Sequence, residues 1–201
     1  MTKKILALLS TVVFFAGLAQ ASSITLESVN GINDGNYYTG FETLQSGSTA
    51  FPAICVDFNN FIAIGQTWDA DILPLPTGLS PMAKDWRMEV WLYNQLLGQS
   101  NPQTVIDIQY AAWGVFSANA PSDTGSQAWL TAASQAAASP MNVTGFEMIQ
   151  PSGSSGQVFM AEAQTPEPPT LALIGIGLLL CCIGRIRKGC RPYLRRAECS
   201  G

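Results

Sequence analysis

The chain has 201 residues, a formal net charge of −4 and no histidine, which excludes Ser-His-Asp and Cys-His catalytic groups and imidazole-dependent zinc sites. Residues 22–165 contain twelve acidic and only two basic side chains, so this part carries a charge near −10. A surface of this charge repels nucleic acid, and no nucleotide-binding glycine motif occurs, so we expect no nucleic-acid partner, no cofactor and no metal.

The N-terminal segment has the pattern of a secretory signal peptide. Lys3 and Lys4 form a positive start, residues 5–18 form an apolar stretch, and Ala19-Gln20-Ala21 is an Ala-x-Ala cleavage site. The sequence therefore predicts a signal peptide over 1–21 and an exported mature chain that begins near Ser22.

Short strands are predicted first in the exported part. Residues 23–29 alternate between polar and apolar side chains, and Asn-Gly and Asn-Asp-Gly-Asn turns follow them. Segments 37–38 and 41–44 look like a second strand pair around Gly40. The most apolar segment, 51–58, is predicted as a buried strand, and 66–73 as a further strand.

Helices are predicted in the middle of the exported part. Ser80 and Asn101 are candidate N-caps, each followed by proline at the first helical position, for helices over 81–97 and 102–116. An Ala-rich helix is predicted over 125–138, and strands over 142–149 and 157–161. We therefore expect an α+β domain over 22–163, with an antiparallel β-sheet unit and an inserted segment of about three helices.

The C-terminal part has three successive segments. Residues 164–169 form a linker that contains Pro166, Glu167 and Pro168, and residues 170–184 are almost entirely apolar. A basic tail, 185–201, begins with Arg185, Arg187 and Lys188. The pattern predicts a short single transmembrane helix over 170–184, and the basic residues keep the tail cytoplasmic while the preceding domain faces outward.

This order of a Pro-Glu-Pro motif, a short apolar helix and an arginine cluster resembles the PEP-CTERM sorting signal. The signal occurs on envelope and exported proteins of Gram-negative bacteria that make exopolysaccharide. The resemblance implies an exosortase-type processing enzyme as a partner, membrane anchoring before processing, and a final place at the cell surface or in the extracellular matrix. A plain single-pass anchor is the alternative.

Cys55 is the only cysteine of residues 22–165. A single cysteine in an exported domain indicates an intermolecular disulfide, a buried inert thiol or a deliberately modified thiol. The sequence alone leaves these three alternatives open.

A second resemblance concerns the segments 54–57 (ICVD) and 108–113 (IQYAAW). Together they are similar to the TQXA-type thioester domains of bacterial surface adhesins, although Ile108 replaces the family's Thr and no second glutamine motif is evident after Trp113. The resemblance implies an internal thioester between Cys55 and Gln109 that surface amines can attack. Asp57 would assist proton movement, and Trp113 would shelter the bond from water.

The sequence therefore favours a non-enzymatic surface or matrix protein with an adhesion or biofilm role, whose partners include surface amines or exopolysaccharide. The alternative from another class is a polysaccharide-active hydrolase that uses carboxylates alone. Its candidate acids are Asp57, Asp69, Asp71 and Glu89, which no spacing pairs.

Overall fold

The computed structural model describes residues 22–153 and 156–164, and residues 22–163 belong to one compact unit. Eight strands and three helices occur in these ranges. In chain order they are β1 (Ser22–Val29), β2 (Ile32–Asn33), β3 (Tyr38–Thr39), β4 (Glu42–Ser46), β5 (Thr49–Cys55), β6 (Thr67–Pro74), α1 (Pro81–Leu96), α2 (Pro102–Phe116), α3 (Thr124–Ala136), β7 (Phe146–Pro151) and β8 (Phe159–Glu162).

Six of the strands form a closed antiparallel barrel in the order β1-β4-β5-β8-β7-β6, and β6 pairs back with β1. The three helices are inserted between β6 and β7. The domain is therefore α+β, as predicted, and the predicted sheet unit is closed into a barrel. Closure leaves no unpaired edge among these six strands, which removes a common route to aggregation.

Two hydrophobic clusters lie on opposite faces of β5 and β8. Because side chains alternate along a strand, Ala53 and Cys55 point into the barrel with Phe159, whereas Ile54 and Met160 point outward toward the helices. We call the inward-facing cluster the barrel cluster and the cluster that faces the helices the helix-side cluster. Burial on both faces explains why segment 51–58 is almost continuously apolar.

Local signals explain the helices well. Ser80, Asn101 and Asp123 are N-caps whose side chains accept hydrogen bonds from backbone N–H groups of α1, α2 and α3. α2 has the predicted bounds, while α1 and α3 end one and two residues earlier than predicted. Met82 and Leu97 are 61% and 48% exposed because they lie at the two ends of α1.

The predicted pairing of 37–38 with 41–44 is wrong. β3 pairs with β2 through a turn in which Asp34 N–H donates to the carbonyl of Tyr37, while β4 pairs with β1 and β5. The Asn-Asp-Gly-Asn segment thus closes a small hairpin rather than only ending a strand. The strand predicted from 142 begins at Phe146, because Asn142 forms a turn by accepting from Thr144.

The predicted signal peptide (1–21), most of the sorting-motif linker, the transmembrane helix (170–184) and the basic tail (185–201) lie outside the described residues. Within residues 22–153 and 156–164, no helix is long and apolar enough to cross a membrane.

Candidate functional site

The site is centred on Cys55, the last residue of β5. Its side chain is 3% exposed and is a free thiol in the barrel cluster. The Sγ–H group donates to the backbone carbonyl of Asp57 at 3.2 Å. The thiol is therefore held in one direction at the point where the strand leaves the barrel.

A cavity of about 130 Å³ opens beside this thiol, and we call it the mouth cavity. Its lining combines apolar rings with a few polar groups that converge on Cys55. The lining residues are Leu26, Val29, Asn36, Tyr37, Tyr38, Glu42, Cys55, Asp57, Phe58, Phe61, Ile62, Trp113 and Gln157. Such a combination is typical of a small ligand or reaction site.

Aromatic rings form one wall of the mouth cavity. Trp113, which is 5% exposed, lies with its ring centroid 5.3 Å from that of Phe58 and 5.7 Å from that of Tyr37, and it stacks on Tyr110 at 5.8 Å. Its indole N–H is buried and finds no hydrogen-bond partner in the part of the chain that the structure describes. At the rim, Phe61 is 70% exposed. The wall limits the access of water to the thiol while leaving an entrance.

Gln109 approaches Cys55 from α2, and both ends of its carboxamide are bound by the backbone. Its Nε2 donates to the carbonyl of Cys55 at 2.7 Å, and its Oε1 accepts from Gly40 N–H at 3.2 Å. Gly40 has a φ of +96°, a conformation that favours glycine, and a Cβ there would lie 3.0 Å from Val105. Gln109, 2% exposed, thus fastens the barrel to α2 and the β2–β3 hairpin.

A second glutamine, Gln157, lines the mouth cavity, and the sequence analysis missed it. Cys55 pairs with Phe159, the first residue of β8, and beyond this pair Val56 N–H donates to the carbonyl of Val158, so the segment that contains Gln157 runs beside the end of β5. Its Nε2 donates to Asp57 O at 3.3 Å, the same oxygen that accepts from Cys55 Sγ. Because Cys55 Sγ and Gln157 Nε2 both contact this carbonyl oxygen, the distance between these two atoms is at most about twice the 3.3 Å contact. The same Nε2 also donates to the backbone carbonyl of Asn60.

Asp57 has a structural role in the loop after β5. Its Oδ1 accepts from Asn59 N–H at 2.9 Å and its Oδ2 from Asn60 Nδ2 at 2.6 Å. Because both carboxylate oxygens are held in this way, the side chain fixes the loop whose carbonyl orients Cys55. This geometry gives Asp57 a positioning role beside its predicted role in proton movement.

Glu42 is the other residue that the sequence analysis missed. It is 8% exposed on β4, and within residues 22–153 and 156–164 its buried Oε2 has no hydrogen-bond partner. Burial raises the pKa of Glu42 from 4.5 to about 7. The sequence did contain a signal for this burial. Glu42 and Leu44 are two residues apart on one strand, so their side chains lie on the same, inward face.

The pKa of the Cys55 thiol is raised, first because burial disfavours the thiolate and second because Glu42 adds negative charge nearby. The carbonyl of Asp57 and the indole of Trp113 act in the opposite direction, although that indole N–H makes no hydrogen bond of ordinary geometry. A spontaneous thiolate is therefore scarce at neutral pH, and Cys55 needs a nearby base to act as a nucleophile.

The remaining candidate acids of the hydrolase alternative lie on separate elements. Asp69 and Asp71 lie on β6, and Glu89 is fully buried on α1, whereas Asp57 follows β5. Within the described ranges, no three His, Cys, Asp or Glu side chains are grouped as metal ligands.

No protein-family model matches this chain, and no curated protein matches it either. Among solved structures, the chain is similar to the N-terminal thioester domain of a surface protein from Clostridium perfringens. The TM-score is 0.44 at 10% sequence identity, and the match covers 71% of this chain and 98% of that domain.

Proposed function

We propose that the exported domain is a surface attachment module in which Cys55 forms an internal thioester with a glutamine and then couples to an amine on its target. The observation that carries this proposal is the meeting of a free, buried thiol and a glutamine carboxamide in one aromatic-walled cavity. Cys55 is held at the end of β5 and both candidate glutamines are held by hydrogen bonds to backbone carbonyls, which lowers the entropic cost of the reaction.

Gln157 suits the acyl donor better than Gln109. The carboxamide of Gln109 makes hydrogen bonds at both ends and does not line the mouth cavity, whereas Gln157 lines this cavity together with Cys55 and is held through Nε2, which donates to the carbonyls of Asp57 and Asn60. Attack at Gln157 Cδ would follow rotation of a side chain whose Nε2 shares the Asp57 carbonyl with Cys55 Sγ. The Cys55–Gln109 bond remains the prediction from the sequence, and the experiment below distinguishes the two.

The chemistry balances without a cofactor. Cys55 Sγ attacks the carboxamide carbon, the C–N bond breaks, and the thiol proton leaves with the nitrogen as ammonia. A primary amine then attacks the thioester carbon, forms an amide and returns the proton to sulfur. Each molecule couples once, so the module is a binding protein rather than a turnover enzyme.

The amino-acid sequence supports the location that this role requires. The cleavage site before Ser22 and the Pro166-Glu167-Pro168 motif would bring the domain through export, membrane anchoring and exosortase-type processing to the surface or the matrix, where it would serve adhesion or biofilm formation. Mass spectrometry of the mature protein from the native cells should show a start near Ser22 and loss of the tail. A cytosolic protein with its C-terminal arginines intact would contradict this route.

Intact-mass measurement tests the bond itself. Closure should lower the mass of the purified protein by about 17 Da, and methylamine should bring it to about 14 Da above the unreacted chain. Cys55→Ala should abolish both changes. A native chain without the deficit, whose Cys55 is alkylated while folded, would overturn the proposal.

Peptide mapping of the methylamine product identifies the acyl donor. We expect the added mass on the peptide that contains Gln157, and loss of the deficit in Gln157→Glu, which keeps the side-chain size but removes the leaving group. Gln109→Glu is the matched control and should keep a deficit, with slower closure. Label on the Gln109 peptide would instead assign the bond to Gln109.

A further inference from the structure

Glu42 lies beside Cys55 on the side opposite Gln157. In the β4–β5 ladder Glu42 pairs with Ala53, so it is a diagonal neighbour of Cys55 on the inward face. On the other side of β5, Cys55 pairs with Phe159 of β8, and Gln157 lies two residues before Phe159, in the segment that leads into β8. Diagonal neighbours have Cα atoms ~7–8 Å apart, within reach of long side chains. Cys55 therefore lies between a carboxyl group and a carboxamide.

The mouth cavity contains few other groups that could move a proton. Its titratable lining residues besides Glu42 are Cys55, Asp57, Tyr37 and Tyr38, and it has no lysine or arginine. Both carboxylate oxygens of Asp57 are engaged by the loop, as described above. Glu42 by contrast keeps Oε2 buried and unpaired. Burying such a group costs free energy, and Glu42 lines the cavity that also contains the Cys55 thiol.

We propose that Glu42 is the proton-transfer residue of the Cys55 thioester, an inference that rests on the function proposed above. During closure the Glu42 carboxylate takes the Sγ proton as sulfur attacks the carboxamide carbon. It then gives that proton to the departing nitrogen, which leaves as ammonia, and returns to its starting state. During coupling the same carboxylate takes a proton from the attacking amine and delivers it to the sulfur that leaves.

The environment suits both halves of this cycle. Burial raises the pKa of Glu42 to about 7, so the group exchanges a proton readily near neutral pH. Because the pKa of the Cys55 thiol is raised, free thiolate is scarce near neutral pH. A base beside the thiol therefore accelerates the attack by removing the Sγ proton as the new bond forms. The pair thus works as a buried acid–base couple without histidine.

The test measures the closing rate of the full chain. Ammonia opens the bond and restores glutamine, and after its removal the return of the mass deficit gives a rate constant between pH 5 and 9. We expect a rate that rises with a midpoint near pH 7 and then levels off, because the ionised form of Glu42 is the active one. A rate that climbs tenfold per pH unit without levelling would indicate free thiolate attack and overturn the proposal.

The variant Glu42→Gln keeps the shape of the side chain and removes its proton-transfer capacity. At pH 8 its closing rate should fall by about 100-fold or more, and the midpoint near pH 7 should disappear. Glu27→Gln, on the exposed face of β1, is the control for loss of charge and should close at the wild-type rate.

The outcomes separate this inference from the proposed function. If the wild type closes and Glu42→Gln closes at the same rate with the same pH profile, Glu42 has no part in proton transfer while the thioester stands. If the wild type never shows the deficit, the proposed function fails. The wild-type pH profile alone decides the matter if the variant does not fold.

Discussion

The mouth cavity of the barrel and the helical layer formed by α1, α2 and α3 each contain a glutamate whose burial costs free energy, and the two glutamates differ in what surrounds them. Glu42 has one unpaired buried oxygen and faces a cavity with a thiol, a glutamine and an aromatic wall. Glu89, on α1, has both oxygens buried and unpaired, and the nearby charge that acts on it is Asp85 on the same helix. Of these two buried glutamates, Glu42 is the one that lies beside a nucleophile, and this is why we assign the proposed proton-transfer role to Glu42 rather than to Glu89.

Removing the aromatic wall should give the largest effect. Trp113→Ala at the mouth should lower the free energy of unfolding by about 3–5 kcal/mol, since the buried indole contacts three rings. It should also speed hydrolysis of the thioester by admitting water. Trp129→Ala in the helical layer is the control, and its half-buried ring should cost less. Urea titration measures the free energy of unfolding of both variants, and an equal loss in Trp113→Ala and Trp129→Ala would contradict the expected difference between the two regions.

The pH dependence of stability should report on Glu42. Its pKa is higher in the folded state than its ordinary 4.5, so the folded protein binds more protons between pH 4.5 and 7. The free energy of unfolding should therefore fall by about 3 kcal/mol as pH rises through this window. The difference between wild type and Glu42→Gln in urea titrations isolates this contribution, and parallel pH curves would exclude it.

Replacing the helical-layer acid should increase stability. Glu89→Met removes a buried carboxyl group without partners and keeps an unbranched side chain of similar length, so the free energy of unfolding at pH 7 should rise by about 1–3 kcal/mol. The closing rate should not change. Glu42→Met is the counterpart at the mouth and should abolish rapid closing, while a Glu89→Met protein that closes slowly would remove the distinction between the two regions.

The smallest effect concerns the cap of the helix that carries Gln109 and Trp113. Asn101→Ala should lower the free energy of unfolding by about 1 kcal/mol, because Thr104 N–H loses its acceptor. Ser80→Ala, at the start of α1, should cost a similar amount. Thermal melts measure both. Since the packing of α2 on the barrel remains, closing should proceed at the wild-type rate in both variants, and slowed closing in Asn101→Ala alone would show that the cap supports the mouth.

Contacts local in the sequence explain what was predicted about the fold. α2 was predicted with its observed bounds because a cap, a proline and the helical period all lie within one segment. The pairing of β4 was not predicted, because its partners β1 and β5 are chosen by barrel closure and by the hairpin that occupies β3. Which strands pair depends on contacts distant in the chain.

The candidate site divides in the same way. By itself, the sequence determined that an acidic domain without histidine holds one cysteine on a buried strand, since composition and strand pattern belong to the chain alone. It also predicted that this domain is exported. Only the tertiary structure decided that Glu42 and Gln157 flank Cys55, while Gln109 binds its backbone. These neighbours come from strand registers that join segments far apart in the sequence, because the closed barrel can bury its inward faces in one register only.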